Sequence, residues 1–369
     1  MGRARSKSSA ESGDSSQTFH AASDAQNQTL SAALRHWLTD RSWSQIRRLI
    51  QSRYVTINGN ACTDVGRRLK TGDVVKVLAQ PAVAPPQEHD IKVQYLDQHL
   101  IVVEKPEGVT SNRHREERDW PKRRKQIQPT LDEMLPHVIA KIEGRRTKGV
   151  LPPVRAVHRL DRETSGLMVF ARTHAAERIL AQQFRQHSTH RRYLAIVEGR
   201  VEAQTIRTRL IRDRGDGRRG STDRPNVGKE AITHVKPIKY LPGVAGVEPK
   251  ASPQRGSNNV YTLIQCKLET GRTHQIRIHL SEQGHPVCGE KVYGGRPGAT
   301  GSASASLASP VARERSGVKG IAAPRLALHA AELGFTHPIT GKPLRFQSPL
   351  PNELVDFWRH LKSSAQPGR

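Results

Sequence analysis

From Ile91 to its end the chain alternates short apolar runs with turn residues and a few stretches of helical spacing. "IKVQYLDQHLIVVEKPEG" reads as two strands about a polar turn, and "LMVFA", "RRYLAIVEG" and "NVYTLIQCKLETG" read as further strands. In "RRYLAIVEG" apolar residues fall on both faces, the mark of a strand covered on both sides near the middle of a sheet. "RLALHAAELGF" and "THPITGKPLRF" read as two more strands across a Pro/Gly loop. "PTLDEMLPHVIAKI", "THQIRIHLSEQG" and "PNELVDFWRHL" carry helical spacing instead. "THAAERILAQQFRQH" is a fourth helix, with Ala176, Ile179, Leu180 and Phe184 on one stripe behind an N-cap at Thr173. Strands in the majority, with helices to cover them, predict an α+β fold built on a mostly antiparallel sheet.

A different kind of sequence lies ahead of this. Residues 1–28 are rich in Ser, Ala, Asp and Gln and lack the apolar stretch of a secretory signal, so a disordered tail is expected there. Residues 29–80 read as a small basic module: a helix at "LSAALRHWL", a second helix whose Ser42 and Gln45 form a capping box, then short strands about the Asn-Gly turn of "VTINGN". "AQPAVAPPQEHD" is Pro-rich, and residues 81–90 are expected to be a linker. Residues 91–369 then form one large domain. Within it, residues 112–150, 212–229 and 295–320 read as insertions, the first strongly basic and the others poor in bulky apolar groups.

The net charge is +26. That exceeds what solubility asks for and points to a polyanionic partner, nucleic acid ahead of an acidic membrane surface. No apolar run approaches the ~20 residues of a spanning helix, so no membrane role is expected. The three cysteines, Cys62, Cys266 and Cys288, include no CxxC pair. Reduced thiols and a cytoplasmic setting follow.

Charge is densest in "HRLDRETSG", residues 158–166, directly ahead of the apolar run "LMVFA". A His-Asp-Ser reading as a hydrolase triad finds no G-x-S-x-G elbow to support it. His274, His279, His285 and Cys288 match no common zinc spacing, and no metal is expected. What is left is Asp161, a carboxylate bracketed by Arg159 and Arg162. Nearby cations favour its ionised form, which suits a nucleophile or a base. A structural pairing of Asp161 with an arginine is the alternative for a lone residue.

The surrounding segments weigh against that alternative. "YLDQHLIVVEKPEGV", "HRLDRETSGLMVFART", "YLAIVEG", "LETGRTHQIRIHLSEQGHPVCGEKVYG" and, more weakly, "LALHAAELGFTHPITGKPLRF" resemble, in order, the segments of the RluA-type pseudouridine synthases. Similarly, "VTINGN" and "KTGDVVKVL" behind two basic helices resemble the αL RNA-binding domain of ribosomal protein S-four. The resemblance implies an RNA pseudouridine synthase that needs no cofactor. It implies Asp161 as the catalytic aspartate, Tyr193 packed against the target base, Arg277 paired with Asp161, and Arg159 entering the RNA where the uridine leaves its stack. The basic rim of Arg47, Arg48, Arg53, Arg67, Arg68 and Lys70 would bind structured RNA through its phosphates. Large-subunit ribosomal RNA is the leading substrate and transfer RNA the second. A monomer is expected, and a non-catalytic ribosome-assembly protein of the same fold is the competing reading. In one place the chain departs from the family pattern: the Lys-Pro-x-Gly turn runs into "TSNRHREERDWPKRRKQ" where the family has a short V-H-P-like stretch.

Overall fold

The computed structural model describes residues 16–241, 260–293 and 322–364, except 23–24, 59, 80, 83–85, 114–116, 118, 122–124, 126–128, 147–148 and 215–217. The chain divides into two compact units, Met1–Pro85 and Pro86–Arg369, each described here by itself.

The small unit packs helices α1 (Leu30–Trp37) and α2 (Trp43–Gln51) against a four-stranded sheet of β1 (Gln17–His20), β2 (Val55–Ile57), β3 (Asn60–Ala61) and β4 (Val74–Val77), in the order β1-β4-β2-β3. The capping box forms: the Gln45 amide donates to Ser42 Oγ at 3.3 Å and the Ser42 amide to Gln45 Oε1 at 2.7 Å. Ile46 and Ile50 of α2 are buried with Leu30, Leu34, Val55 and Val75, which leaves Arg47 and Arg48 outside. Asn58 turns the β2–β3 hairpin in the left-handed region, φ +51°.

Strand β1 corrects one expectation. It lies inside residues 1–28, the stretch read as a disordered tail, yet all four of its residues pair with β4. Phe19 stacks on Trp37 at 5.0 Å, and Ala21 and Ala25 are buried. A polar stretch becomes a strand here because a far-off sheet edge supplies its hydrogen bonds, which local composition does not reveal. Residues 1–15 of that tail lie outside the described residues.

The large unit is one 11-stranded sheet. Its strands are β5 (Lys92–Leu96), β6 (Leu100–Lys105), β7 (Arg155–Ala156), β8 (Ser165–Ala171), β9 (His190–Glu198), β10 (Gln204–Ile211), β11 (Gly220–Ser221), β12 (Lys229–Leu241), β13 (Tyr261–Leu268), β14 (Leu328–Thr336) and β15 (Pro343–Gln347). The order runs β11-β10-β12-β13-β9-β14-β8-β6-β5, with β15 on β14 and β7 on β8. Every pairing is antiparallel except β14 with β8. The fold is therefore α+β with a mostly antiparallel sheet, and "RRYLAIVEG" does occupy its middle as β9.

The continuous apolar runs are explained by cover on both faces. Alternation sends Ile101, Val103, Met168 and Phe170 to one side, where they pack in the main core with α3 (Leu131–Ile142), α5 (Gln275–Glu282) and α6 (Asn352–Ser364). Leu100, Val102, Leu167 and Val169 go to the other side, under α4 (His174–Arg185). Thr173 caps α4, accepting from the Ala176 amide at 3.2 Å.

The insertions are in part integral to this core. Helix α3 falls within residues 112–150, and its Leu131, Leu135, Val138 and Ile139 belong to the main core. Arg113 is buried on Glu133 of the same helix at 2.6 Å. Helical apolar spacing within a basic stretch is what separates this part from the surface. Strand β11 falls within residues 212–229 and pairs with β10. The insertion at 295–320 lies outside the described residues.

Two features of the sheet centre are testable. Gly166 of β8 has φ +118°, and a Cβ there would lie 2.3 Å from the Ala330 carbonyl oxygen of β14. Both the backbone and the space require glycine, so Gly166→Ala is expected to cost about 2–3 kcal/mol or more. Denaturant unfolding should show this as a lower midpoint with an unchanged slope. Glu332 is buried and accepts from His190 Nε2 and Arg345 Nη2, both at 2.8 Å, and from Arg192 Nη2, tying β9, β14 and β15 together. Burial alone would raise its pKa, but these hydrogen bonds outweigh it and bring it from 4.5 to about 2. Its stabilisation is then complete above pH 4.5 and is lost as the pH falls towards 2. Glu332→Gln should lose roughly 3 kcal/mol at neutral pH, a gap that closes over this acid window in unfolding curves.

Candidate active site

Two loops hold Asp161. One follows β6 as Lys-Pro-Glu-Gly-Val, residues 105–109; the other, residues 157–164, joins β7 to β8. Lys105 is 1% exposed, and its Nζ donates to the carbonyls of Pro106 and Val109 at 2.8 Å and of Arg162 at 3.1 Å. Burial pushes its pKa down to about 7, against the pull of Asp161, Glu163 and Glu107. The Gly108 amide reaches the same Arg162 carbonyl at 2.8 Å, and Arg162 Nε returns a bond to the Gly108 carbonyl at 2.9 Å. On the other flank, Ser111 Oγ donates to the Leu160 carbonyl at 2.7 Å and accepts from the Leu160 amide at 3.0 Å. Both neighbours of Asp161 are thus tied down, so its backbone is placed before any substrate arrives.

Its carboxylate faces α5. Arg277 Nη1 lies 3.8 Å from Asp161 Oδ2, and His274 Nε2 lies 3.7 Å from Oδ1. Arg277 is 3% exposed and is gripped from behind by Glu290, with Nε to Oε2 at 2.7 Å and Nη2 to Oε1 at 2.8 Å. Burial opposes both charges, yet their mutual hydrogen bonds outweigh it: the Arg277 pKa is raised and the Glu290 pKa is lowered. His274 stands ahead of α5 with φ +57°, its Nδ1 2.6 Å from the Tyr293 hydroxyl. Burial lowers the His274 pKa and pushes the Tyr293 hydroxyl up to about 12. The tautomer with its N–H on Nε2, towards the Asp161 carboxylate, is the one in which Nδ1 accepts from the Tyr293 hydroxyl.

These groups open on a cavity of about 430 Å³, lined among others by Arg159, Asp161, Arg191, Tyr193, His274 and Arg277. That is within the ~300–1,000 Å³ range of small-molecule and nucleotide sites. Tyr193, 8% exposed, lies on β9, and burial raises its pKa, so its hydroxyl keeps its proton. His158 is part of the wall rather than the chemistry. It stacks on Phe184 at 4.4 Å and accepts from the Val169 amide at 3.1 Å. Burial, with help from Arg191, takes its pKa to about 3.

The four residues expected at one site, Asp161, Tyr193, Arg277 and Arg159, all line this cavity. The charge partners of Asp161 differ from the bracketing pair. Its carboxylate faces the Arg277 cation and the neutral His274 ring, while Arg162 turns to Gly108 and Arg159 is exposed at the cavity wall. Adjacent residues in a tight loop point apart, so neighbourhood in sequence did not become contact. In the small unit Arg47, Arg48, Arg68 and Lys70 are exposed and Arg53 and Arg67 half-buried. Arg67 pairs with Asp73 at 3.7 Å, and Arg68 Nη1 donates to the Asn27 carbonyl at 2.7 Å. These two therefore also hold the unit together. Of the histidines weighed as metal ligands, His279 bonds to Thr208 and Thr233 and His285 to the Glu198 carbonyl. No metal-holding group of His, Cys, Asp and Glu occurs among the described residues. Lys105, Ser111, Glu290 and Tyr293 went unassigned in sequence, because nothing local marks a residue as the support of another.

A carboxylate set by two loops, with a buried cation behind it, thus opens on a cavity that an aromatic ring also lines, on a strongly basic chain. Comparison with known proteins gives the family. The description "RNA pseudouridylate synthase" matches residues 99–282, and "S4 domain" matches residues 34–75. The ribosomal large subunit pseudouridine synthase D of Zymomonas mobilis is 34% identical over 349 residues, 91% of this chain and 94% of the relative. The protein of that name from Escherichia coli is 29% identical over 333 residues, 89% of each chain. Among solved structures, human RNA pseudouridylate synthase domain containing 4 has the same fold, with a TM-score of 0.51 at 20% identity over 73% of this chain and 93% of that one. The chain belongs to the RNA pseudouridylate synthase family, with an S4 domain ahead of its catalytic unit.

If Glu290 is what fixes Arg277, Glu290→Ala should lower kcat by about 100-fold, the scale on which a small misplacement of a catalytic group acts. RNA affinity should stay within about twofold. Single-turnover kinetics and filter binding on one RNA separate the two.

Proposed function

We propose that this enzyme converts uridine to pseudouridine in large-subunit ribosomal RNA, in the cytoplasm, with Asp161 as its catalytic carboxylate. The observation that carries the reading is the Asp161 carboxylate, 13% exposed at the cavity, with Arg277 at 3.8 Å and its loop tied on both flanks. The names of the relatives, ribosomal large subunit pseudouridine synthases, support ribosomal RNA over transfer RNA.

The reaction is an isomerisation: the N1–ribose bond breaks, the base turns, a C5–ribose bond forms, the C5 proton leaves, and the freed N1 takes up a proton. No electrons are gained or lost, so this chain's own groups suffice. The target uridine must first swing out of its stack, at a cost of a few kcal/mol. Arg159, exposed at the cavity, stacks in the vacancy. Tyr193 offers its ring to the base and a protonated hydroxyl at its edge. Asp161 supplies the oxygen that adds to the sugar or takes a proton from it. Arg277 and the Nε2 proton of His274 steady the charge as it moves. In the S4 domain Arg47, Arg48, Arg53, Arg67, Arg68 and Lys70 meet RNA phosphates.

The test maps pseudouridine in ribosomal and transfer RNA from cells lacking the protein, complemented by wild type or by Asp161→Asn. Wild type should restore a ribosomal site. Asp161→Asn should leave it unmodified while binding the RNA within about twofold of wild type. Full modification by Asp161→Asn would remove the carboxylate from the mechanism, and a missing site only in transfer RNA would reassign the substrate.

A further inference from the structure

The buried arginines of the catalytic unit are of two kinds. Arg113, Arg277 and Arg325 each meet a carboxylate: Glu133 at 2.6 Å, Glu290 at 2.7 Å and Glu353 at 3.1 Å. Arg191 meets none among the described residues. It is 7% exposed, and its one hydrogen bond runs from Nη2 to the Glu269 carbonyl at 2.9 Å. Its Nε is sealed from solvent without a partner. The Phe184 ring, 5.8 Å from the guanidinium, offers only a weak attraction. Burial lowers its pKa, with only the Tyr193 hydroxyl acting the other way. A guanidinium does not give up its charge, so among the described residues this is a buried cation without an anion.

Its position says which anion is missing. Arg191 and Tyr193 alternate onto the same face of β9, and both line the cavity that holds Asp161. Room for the guanidinium is built in: a Cβ at Gly271 would lie 2.7 Å from Arg191 Nη1. We propose that Arg191 is the receptor for a backbone phosphate of the target nucleotide, the phosphodiester that follows the flipped uridine into the cavity. The proposal rests on the reading above, that a uridine swings into this cavity. A charged guanidinium and a phosphate form hydrogen bonds about twice as strong as neutral ones. The RNA backbone is also the only anion that such a substrate carries.

The probe is a synthetic hairpin carrying the uridine mapped above, made with ordinary linkages or with an uncharged methylphosphonate on the 5′ or the 3′ side of the target. Wild type should lose about tenfold in affinity with one of the two neutral linkages, the scale of one charged hydrogen bond. Arg191→Gln should lose about as much on ordinary RNA and nothing further on that neutral linkage. Its salt dependence should be shallower by about 0.7–0.9, one phosphate's worth. Additive losses with an unchanged salt slope would overturn the proposal and leave Arg191 as a tether for Glu269 or a reader of a base carbonyl. Should Arg191→Gln fail to fold, Arg191→Lys goes through the same comparison. Retained sensitivity to the neutral linkage supports the phosphate contact, and lost sensitivity at full charge overturns it. Wild type that leaves the ordinary hairpin unconverted sinks the functional reading instead.

Discussion

The charge of Arg277 is the point on which the site turns. A guanidinium this deeply buried is costly without an anion, and Glu290 supplies one in a two-point contact at 2.7 and 2.8 Å. With its charge already matched and its plane fixed, Arg277 reaches Asp161 only at 3.8 Å, beyond hydrogen-bond length. The field of the cation is felt, but the lone pairs of the carboxylate are not all engaged. His274 stands at the other oxygen, at 3.7 Å, with its Nδ1 held by the Tyr293 hydroxyl.

The second constraint is mechanical. Asp161 sits in a loop, where a side chain would ordinarily wander. Here the turn after β6 grips the residues on either side of it, with Ser111 on Leu160 and Lys105 and Gly108 on Arg162. The charge-rich stretch ahead of the strand therefore divides its work: Arg162 latches the two loops, His158 packs, Arg159 faces the cavity and Asp161 is presented. The dry strand β8 directly behind it, covered on both faces, anchors the whole.

Charge is used unevenly across the chain. In the S4 domain α2 buries Ile46 and Ile50 and leaves Arg47 and Arg48 in water, a face free for phosphates. Arg67 and Arg68, identical in composition terms, spend part of their donors on Asp73 and Asn27. In the catalytic unit Arg113, Arg277 and Arg325 each meet a carboxylate, while Arg191 meets none among the described residues. A net charge of +26 is thus a poor guide to which cations meet RNA.

What the amino-acid order determined by itself is whatever depends on near neighbours. Period-two and period-3.6 apolar spacing set the strands and helices, Ser42 with Gln45 and Thr173 set helix starts, and the motif segments singled out Asp161, Tyr193 and Arg277. Tertiary structure decided everything that needs two distant segments at once. It made β1 from a polar stretch by lending it the edge of β4, and put α3 of a basic insertion into the core. It set His274 beside Asp161 together with Arg277, the partner the motif resemblance implies, turned Arg162 away to Gly108, and brought Glu290 behind Arg277. The reason is range: spacing and caps act within a few residues, whereas an ion pair or a cavity exists only once the sheet has brought its far strands and helices together.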